Sequence, residues 1–72
     1  MKKIKKIKIR VNGKVQSINY NLKMSDLMSN LKIPMRKVAI ELNQEIIDKK
    51  NINKINLKKN DKIEIVHFIG GG

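Results

Sequence analysis

A two-residue turn between alternating stretches is the feature that most limits how this chain can fold. Apolar and polar residues alternate across residues 7–11, which is typical of a strand with one buried face. Asn12-Gly13 follows and favours a type I′ hairpin, because both residues tolerate the positive φ angles of that turn. A second strand is predicted across residues 14–21, where Val15 is out of phase with Ile18 and indicates a bulge or a longer loop.

The hydrophobic period changes after the hairpin and predicts one short helix. Apolar residues fall at helical spacing at Met24, Leu27, Met28 and Leu31. Ser25 and Asp26 supply a capping oxygen and a negative charge near the helix N-terminus. Pro34 is expected to stop the helix, since the residue before a proline avoids the α region. A helix of about two turns needs packing against a sheet to be stable.

Alternation returns after the helix and predicts further strands. Residues 38–42 form the first, and Asn43-Gln44 is a turn into a short strand at residues 45–47. Residues 48–60 are polar and predict a loop with one helical turn. The apolar anchors of this loop are Ile52, Ile55 and Leu57.

The last strand is predicted at residues 62–68. It has apolar residues on both faces, which indicates a central strand covered on both sides. The apolar residues are Ile63, Ile65, Val66 and Phe68. The full order of elements predicts an α+β fold in which a mixed sheet packs on one short helix.

The length of 72 residues suits a single domain over residues 1–72. Residues 1–6 are interpreted as a basic extension and residues 69–72 as a flexible glycine tail. No apolar run approaches the roughly 20 residues that span a bilayer, so we expect no membrane partner. No apolar segment follows the basic N-terminus, so we expect no signal peptide and a cytoplasmic location.

The formal charge is +11, from seventeen Lys and Arg against six acidic residues. Nucleic-acid-binding proteins often carry such an excess, and so does a chain with a compositional bias toward Lys, Ile and Asn. The lysines are dispersed, and Tyr20 and Phe68 are the only aromatic residues available for stacking on bases. We therefore expect no specific nucleic-acid partner, and any binding to be salt-sensitive and independent of base sequence.

The chain ends in three glycines directly after the last predicted strand. Glycine has no Cβ, so this tail can thread a narrow channel in a partner and present the carboxylate of Gly72. A carboxylate must be activated before it reacts with a nucleophile, and an acyl-adenylate made from ATP is one route. Sulfur from a partner's persulfide then replaces the adenylate and leaves a C-terminal thiocarboxylate.

This chemistry needs no catalytic side chain from the small protein. The sequence has no cysteine and one histidine, His67, which is interpreted as an ordinary strand residue, and it shows no catalytic constellation. We therefore expect no enzyme activity of its own and assign the reactive position to the Gly72 carboxylate. Gly70, Gly71, Ile69 and Phe68 are the predicted partner-binding residues, with a place in the core as the alternative for Phe68.

Metal and cofactor sites are not predicted. The methionines are expected to fill the core, because no His or Cys cluster accompanies them. The sequence has no phosphate-binding loop, so ATP is expected to bind the partner adenylating enzyme and no cofactor to bind this chain.

Residues 38–47 and 60–72 together resemble the ThiS family, the sulfur carriers of thiamine biosynthesis. The resemblance covers about residues 7–72 and implies a ubiquitin-like β-grasp fold. It implies adenylation of Gly72 by an E1-like ATP-dependent enzyme, sulfur from a persulfide donor, and transfer to thiazole synthase. The third glycine, the lysine-rich leader and the high charge depart from the family pattern.

Two other interpretations of the sequence remain open. A carrier resembling the small subunit of molybdopterin synthase would use the same tail chemistry. A small basic RNA-binding β-grasp module would explain the charge but gives no role to the terminal glycines.

Overall fold

The computed structural model describes residues 5–68, which form one mixed sheet of five strands in the order β2-β1-β5-β3-β4. The strands are β1 (Lys6–Val11), β2 (Lys14–Asn19), β3 (Val38–Leu42), β4 (Glu45–Ile46) and β5 (Lys62–His67). One α-helix, α1 (Met24–Asn30), packs on the sheet, and 3₁₀ helices lie at Met35–Lys37 and Lys49–Lys54. The predicted α+β architecture is therefore confirmed.

A single hydrophobic core lies between α1 and one face of the sheet. Its buried side chains are Ile9, Val11, Ile18, Met24, Leu27, Met28, Val38, Ile40, Leu57, Ile63 and Ile65. Burial of each large apolar side chain contributes about 1.5–3 kcal/mol. This packing explains how a helix of seven residues, too short to be stable alone, persists. The opposite face of the sheet is called the outer face below.

The N-terminus of α1 is capped through Asp26 rather than through Ser25. Lys23 is the N-cap residue, and its backbone N–H donates to the Asp26 carboxylate at 3.2 Å. The negative charge also favours this end of the helix dipole. Ser25 lies within the first turn, so the predicted capping role of its hydroxyl is wrong.

The C-terminus of α1 is closed by backbone hydrogen bonds before Pro34 is reached. Lys32 adopts a positive φ of 56° and its N–H donates to the Ser29 carbonyl at 3.0 Å. The Ile33 N–H donates to the Met28 carbonyl, also at 3.0 Å. These two bonds form a Schellman motif, which stops the helix ahead of the predicted breaker.

The β1–β2 hairpin has a regular register. Asn12 and Gly13 have φ angles of 49° and 83°, as the predicted type I′ turn requires. Pairing continues without interruption to Lys6 opposite Asn19, so the bulge predicted at Val15 is wrong. The two-residue turn fixes the register, and it places Val15 on the outer face, where the side chain is 56% exposed.

Strand β5 is central, as predicted, but it is covered on one face only. Ile63 and Ile65 are buried under α1, whereas Val66 is 51% exposed on the outer face. Within residues 5–68 no helix covers the outer face, so the prediction of a strand covered on both sides is wrong. Apolar residues at both odd and even positions of β5 go with its central place in the sheet. They do not show whether another element covers each face of the strand.

Two turn asparagines hold β5 in place. In the parallel pairing of β1 with β5, Arg10 lies opposite Lys62 and Val11 lies opposite Ile63. The side-chain amide of Asn12 continues this pairing. Its Oδ1 accepts from the Ile65 N–H at 2.7 Å, and its Nδ2 donates to the Ile65 carbonyl at 3.4 Å.

Asn43 does the same on the other side of β5. This residue lies in the turn between β3 and β4 with a φ of 52°. Its N–H donates to the Lys62 carbonyl at 2.8 Å, and its Oδ1 accepts from the Lys62 N–H at 2.9 Å. Its Nδ2 donates to the buried Asp61 carboxylate at 3.1 Å.

The first prediction concerns the Asn12 amide. Asn12→Gly retains the positive φ angle but removes both side-chain bonds to Ile65, so the free energy of unfolding should fall by about 1 kcal/mol. Asn12→Asp keeps an acceptor for the Ile65 N–H and should lose less. Urea unfolding followed by circular dichroism measures both, and equal stability of Asn12→Gly and the parent protein would contradict the role of the amide.

Candidate functional site

The candidate site lies where β5 runs into the glycine tail. Four of the predicted site residues, Ile69, Gly70, Gly71 and Gly72, lie outside the described residues. Phe68 is the last described residue, and it is 55% exposed rather than part of the core. The exposed position is the one that partner binding requires, so the core alternative for Phe68 is wrong.

Phe68 is held at a defined position by its backbone and by its ring. Its N–H donates to the Lys37 carbonyl at 2.8 Å, which continues the β3–β5 pairing past His67. The Lys49 ammonium lies 5.4 Å from the centre of the Phe68 ring, within the range of a cation–π contact. Phe68 is therefore held at both its backbone and its ring.

The Lys49 ammonium is itself fixed. Its Nζ donates to the Met35 carbonyl at 2.6 Å, so it joins the two 3₁₀ helices to the end of β5. The side chain is half-buried, unlike that of neighbouring Lys50. Sequence reasoning missed Lys49 because nothing local separates it from the other sixteen cations.

The outer face beside this strand end combines apolar and acidic side chains. Val66 lies opposite Ala39, and Glu64 lies opposite Glu41 in the β3–β5 pairing. Ile46 of β4 lies opposite Glu41 and is 77% exposed. These side chains share one face, because each is paired at the same parity of the sheet.

The candidate site is an exposed surface at the end of β5. Among residues 5–68, no three His, Cys, Asp or Glu side chains lie close enough together to hold a metal ion. His67 is exposed at the end of β5. No helix in the described part of the chain has the length and apolar character needed to cross a membrane.

Comparison with known proteins identifies the family. Residues 7–72 match the model of the ThiS family. The chain belongs to the ThiS family. It is 41% identical over 49 residues to the sulfur carrier protein ThiS of Bacillus subtilis, which covers 68% of this chain and 74% of that protein.

The fold of a solved ThiS structure agrees with that of this chain. The crystal structure of the thiamine biosynthesis protein ThiS from Geobacter metallireducens superposes with a TM-score of 0.80 at 30% identity. The superposition covers 92% of this chain and 100% of that one. The predicted ubiquitin-like β-grasp fold is therefore confirmed.

Two longer proteins contain a region similar to this ThiS-family chain. A thiazole synthase of Paramagnetospirillum magneticum is 36% identical over 66 residues, and one of Magnetococcus marinus is 33% identical over 66 residues. Each similarity covers 92% of this chain but 20% of the longer protein. The chain thus spans about a fifth of the length of these two relatives.

The second prediction concerns Lys49. Lys49→Met keeps the apolar stem but removes the cation–π contact and the bond to the Met35 carbonyl. Together these are worth about 1–2 kcal/mol, so the Phe68 amide should exchange with solvent at least about fivefold faster. Hydrogen exchange followed by NMR measures this rate.

Two variants control for the loss of a charge. Lys49→Arg keeps a cation over the ring and should restore most of the protection. Lys50→Met removes an exposed lysine next to it and should leave the Phe68 amide unchanged. Equal effects of Lys49→Met and Lys50→Met would show that Lys49 does not hold the strand end.

Proposed function

We propose that this protein is a sulfur carrier of thiamine biosynthesis and that Gly72 bears the sulfur as a thiocarboxylate. The observation that carries the proposal is the family match over residues 7–72, which includes the whole glycine tail. The anchored end of β5 supports it, because Phe68, which directly precedes Ile69 and the glycines in the sequence, is held by Lys37 and Lys49. The protein acts as a co-substrate of its partners and not as an enzyme.

The proposed chemistry begins at the Gly72 carboxylate. The carboxylate attacks the α-phosphorus of ATP on an E1-like adenylating enzyme, which forms an acyl-adenylate and releases pyrophosphate. A persulfide on a donor protein then attacks the acyl carbon and displaces AMP. Cleavage of the resulting sulfur–sulfur bond by a thiol leaves the thiocarboxylate. We place these steps in the cytoplasm, where ATP is available.

The glycines make this transfer possible for steric reasons. A tail without Cβ atoms fits a channel too narrow for other residues, so the adenylating enzyme can shield the acyl-adenylate from water. Ordering each glycine costs roughly 1–2 kcal/mol, which contacts with the partner must offset. The β-grasp domain contributes by presenting the tail and by binding the partner.

Thiazole synthase is the proposed acceptor of the sulfur. Two proteins named thiazole synthase contain a region similar to nearly all of this chain, which supports a functional link between the two activities. Tail chemistry alone does not distinguish this route from molybdopterin synthesis, so the acceptor must be tested directly.

The third prediction tests the terminus. Gly72→Ala adds a Cβ inside the proposed channel and should reduce ATP–pyrophosphate exchange with the E1-like enzyme of the same organism at least about a hundredfold, since misplacement of a reacting group costs on that order. A C-terminal tag should abolish exchange, whereas the same tag at the N-terminus should not. Unfolding midpoints should be unchanged for all three proteins.

Undiminished exchange by the C-terminally tagged protein would rule out the Gly72 carboxylate as the reacting group. Intact-mass analysis provides the positive result. Protein incubated with the adenylating enzyme, ATP and a persulfide donor should gain the mass of one oxygen-to-sulfur replacement.

The fourth prediction tests the acceptor. The thiocarboxylate form should support thiazole phosphate formation when it is mixed with thiazole synthase and its small-molecule substrates. It should not restore dithiolene formation with the large subunit of molybdopterin synthase. The reverse result would move the protein to the molybdopterin pathway and leave the role of Gly72 intact.

A further inference from the structure

A groove lined by lysines lies at the end of the sheet where β1 begins. Two adjoining cavities of about 580 and 360 Å³ share Ile7, Tyr20 and Lys59 in their linings. Cavities of roughly 300–1,000 Å³ hold ligands of small-molecule size. The charged and aromatic side chains along the two cavities form what we call the lysine groove: Lys5, Lys6, Lys8, Tyr20, Lys58 and Lys59.

Backbone hydrogen bonds hold both walls of the lysine groove. On one side the Tyr20 N–H donates to the Lys5 carbonyl at 2.9 Å, which continues the β1–β2 pairing beyond Lys6. On the other side the Asn60 N–H donates to the Lys8 carbonyl at 2.8 Å, and Asn60 has a positive φ of 70°. Both walls are therefore tied to β1, so the groove does not have to form when a ligand binds, which lowers the cost of binding.

The positive charge of the lysine groove is not balanced by acids. No acidic side chain among residues 5–68 lines either cavity. Asp61 follows the groove in sequence, but it is buried, and its carboxylate accepts from the Lys58 N–H at 2.8 Å and from the Asn43 Nδ2 at 3.1 Å. A concave surface lined by charges of one sign concentrates the potential and attracts ligands of the opposite sign. The groove therefore suits a polyanion.

Tyr20 adds an aromatic surface to these charges. Its side chain is 53% exposed and does not pack on the core. The Lys5 ammonium lies 5.8 Å from the centre of the ring, within the range of a cation–π contact. Single-stranded nucleic acids bind to basic grooves in which a base stacks on an aromatic ring and lysines follow the phosphates. The carboxylates of an acidic protein would pair with the lysines but give the ring no role, so the combination favours a nucleic acid.

The lysine groove and the end of β5 lie at opposite ends of the sheet. Lys62, at the start of β5, lies opposite Arg10, near the end of β1, and the two strands are parallel. From the level of Lys6 to the level of Phe68 is about ten residues of strand, or about 33 Å at roughly 3.3 Å per residue. A ligand in the groove therefore leaves the end of β5 accessible.

We propose that the lysine groove binds single-stranded nucleic acid, with phosphates against the lysines and one base stacked on Tyr20. These contacts are to phosphate groups and to the face of a base, so they do not distinguish one base sequence from another. This is a second binding function, separate from the proposed sulfur transfer. It agrees with the expectation from the sequence that any nucleic-acid binding is salt-sensitive and independent of base sequence.

The fifth prediction uses Tyr20 as a reporter of binding. The chain has one tyrosine and no tryptophan, so its intrinsic emission comes from the groove. A short oligothymidylate should quench this emission along a saturable curve, because a base stacks on the ring. An abasic strand of the same length has the same phosphates without bases, so it should bind about tenfold more weakly and quench little. Equal affinity and equal quenching by the two strands would overturn stacking on Tyr20.

Charge-matched variants separate the groove from the general charge of the protein. Lys5→Gln with Lys59→Gln removes two groove lysines, and Lys14→Gln with Lys50→Gln removes two exposed lysines outside both cavities. The groove variant should bind labelled oligothymidylate at least about tenfold more weakly in fluorescence anisotropy. Its slope of log affinity against log salt should fall by about 1.4, since each phosphate contact contributes roughly 0.7.

The control variant should lose less than about threefold in affinity and keep its slope. Unfolding midpoints in urea should match the parent for both variants, because the replaced side chains are exposed. Equal losses of affinity in the two variants would show that the lysines act as a general coat and would overturn the groove.

Two other anions test the class of ligand. A polyglutamate peptide of the same charge as the oligothymidylate should bind more weakly and leave the Tyr20 emission unchanged. Inorganic phosphate should compete with the oligothymidylate only at millimolar concentrations. Polyglutamate binding as tight as that of oligothymidylate would assign the groove to an acidic protein. Competition by micromolar phosphate would assign it to a small phosphorylated molecule. Either result would overturn the nucleic-acid proposal.

Discussion

The pairing of β5 between β1 and β3 is the constraint on which the rest of the structure depends. This strand comes last in the described chain yet lies at the centre of the sheet, so it joins the N-terminal hairpin to the β3–β4 hairpin. Its parallel pairing with β1 is short, and the Asn12 amide extends it by mimicking one more strand residue. Because β5 directly precedes the tail in the sequence, the bonds that complete the core also fix the strand before the tail.

Local chemistry explains which features could be predicted from the sequence. Asn12, Gly13 and Asn43 are of the residue types that readily adopt positive φ angles, so both turns were predictable and both are observed, with Gln44 also at positive φ. The helix followed from spacing, since its buried residues recur every three or four positions. The end of the helix could not be predicted in the same way, because the Schellman motif has a lysine, Lys32, at the position where glycine is the usual signal.

The errors arise where burial depends on distant parts of the chain. Val15 and Val66 are apolar strand residues like those of the core, and only the full sheet shows that both lie on the outer face. The contact of Lys49 with Phe68 joins residues far apart in sequence, so no pattern marks it. In the candidate site, the terminal glycines were predictable by composition and by resemblance. The exposed cluster of Glu41, Ile46 and Glu64 on the outer face was not, because these residues meet only through strand pairing.

A carrier that visits several partners needs an interface that is specific but not tight. The proposed contact has two points, the tail and the folded domain, and binding through one raises the effective concentration of the other. Two weak points of contact allow the proposed adenylating enzyme to bind the carrier and to release it once the sulfur is loaded. The proposed sulfur acceptor can then bind the same tail, because the glycines carry no side chains that would fit one partner alone.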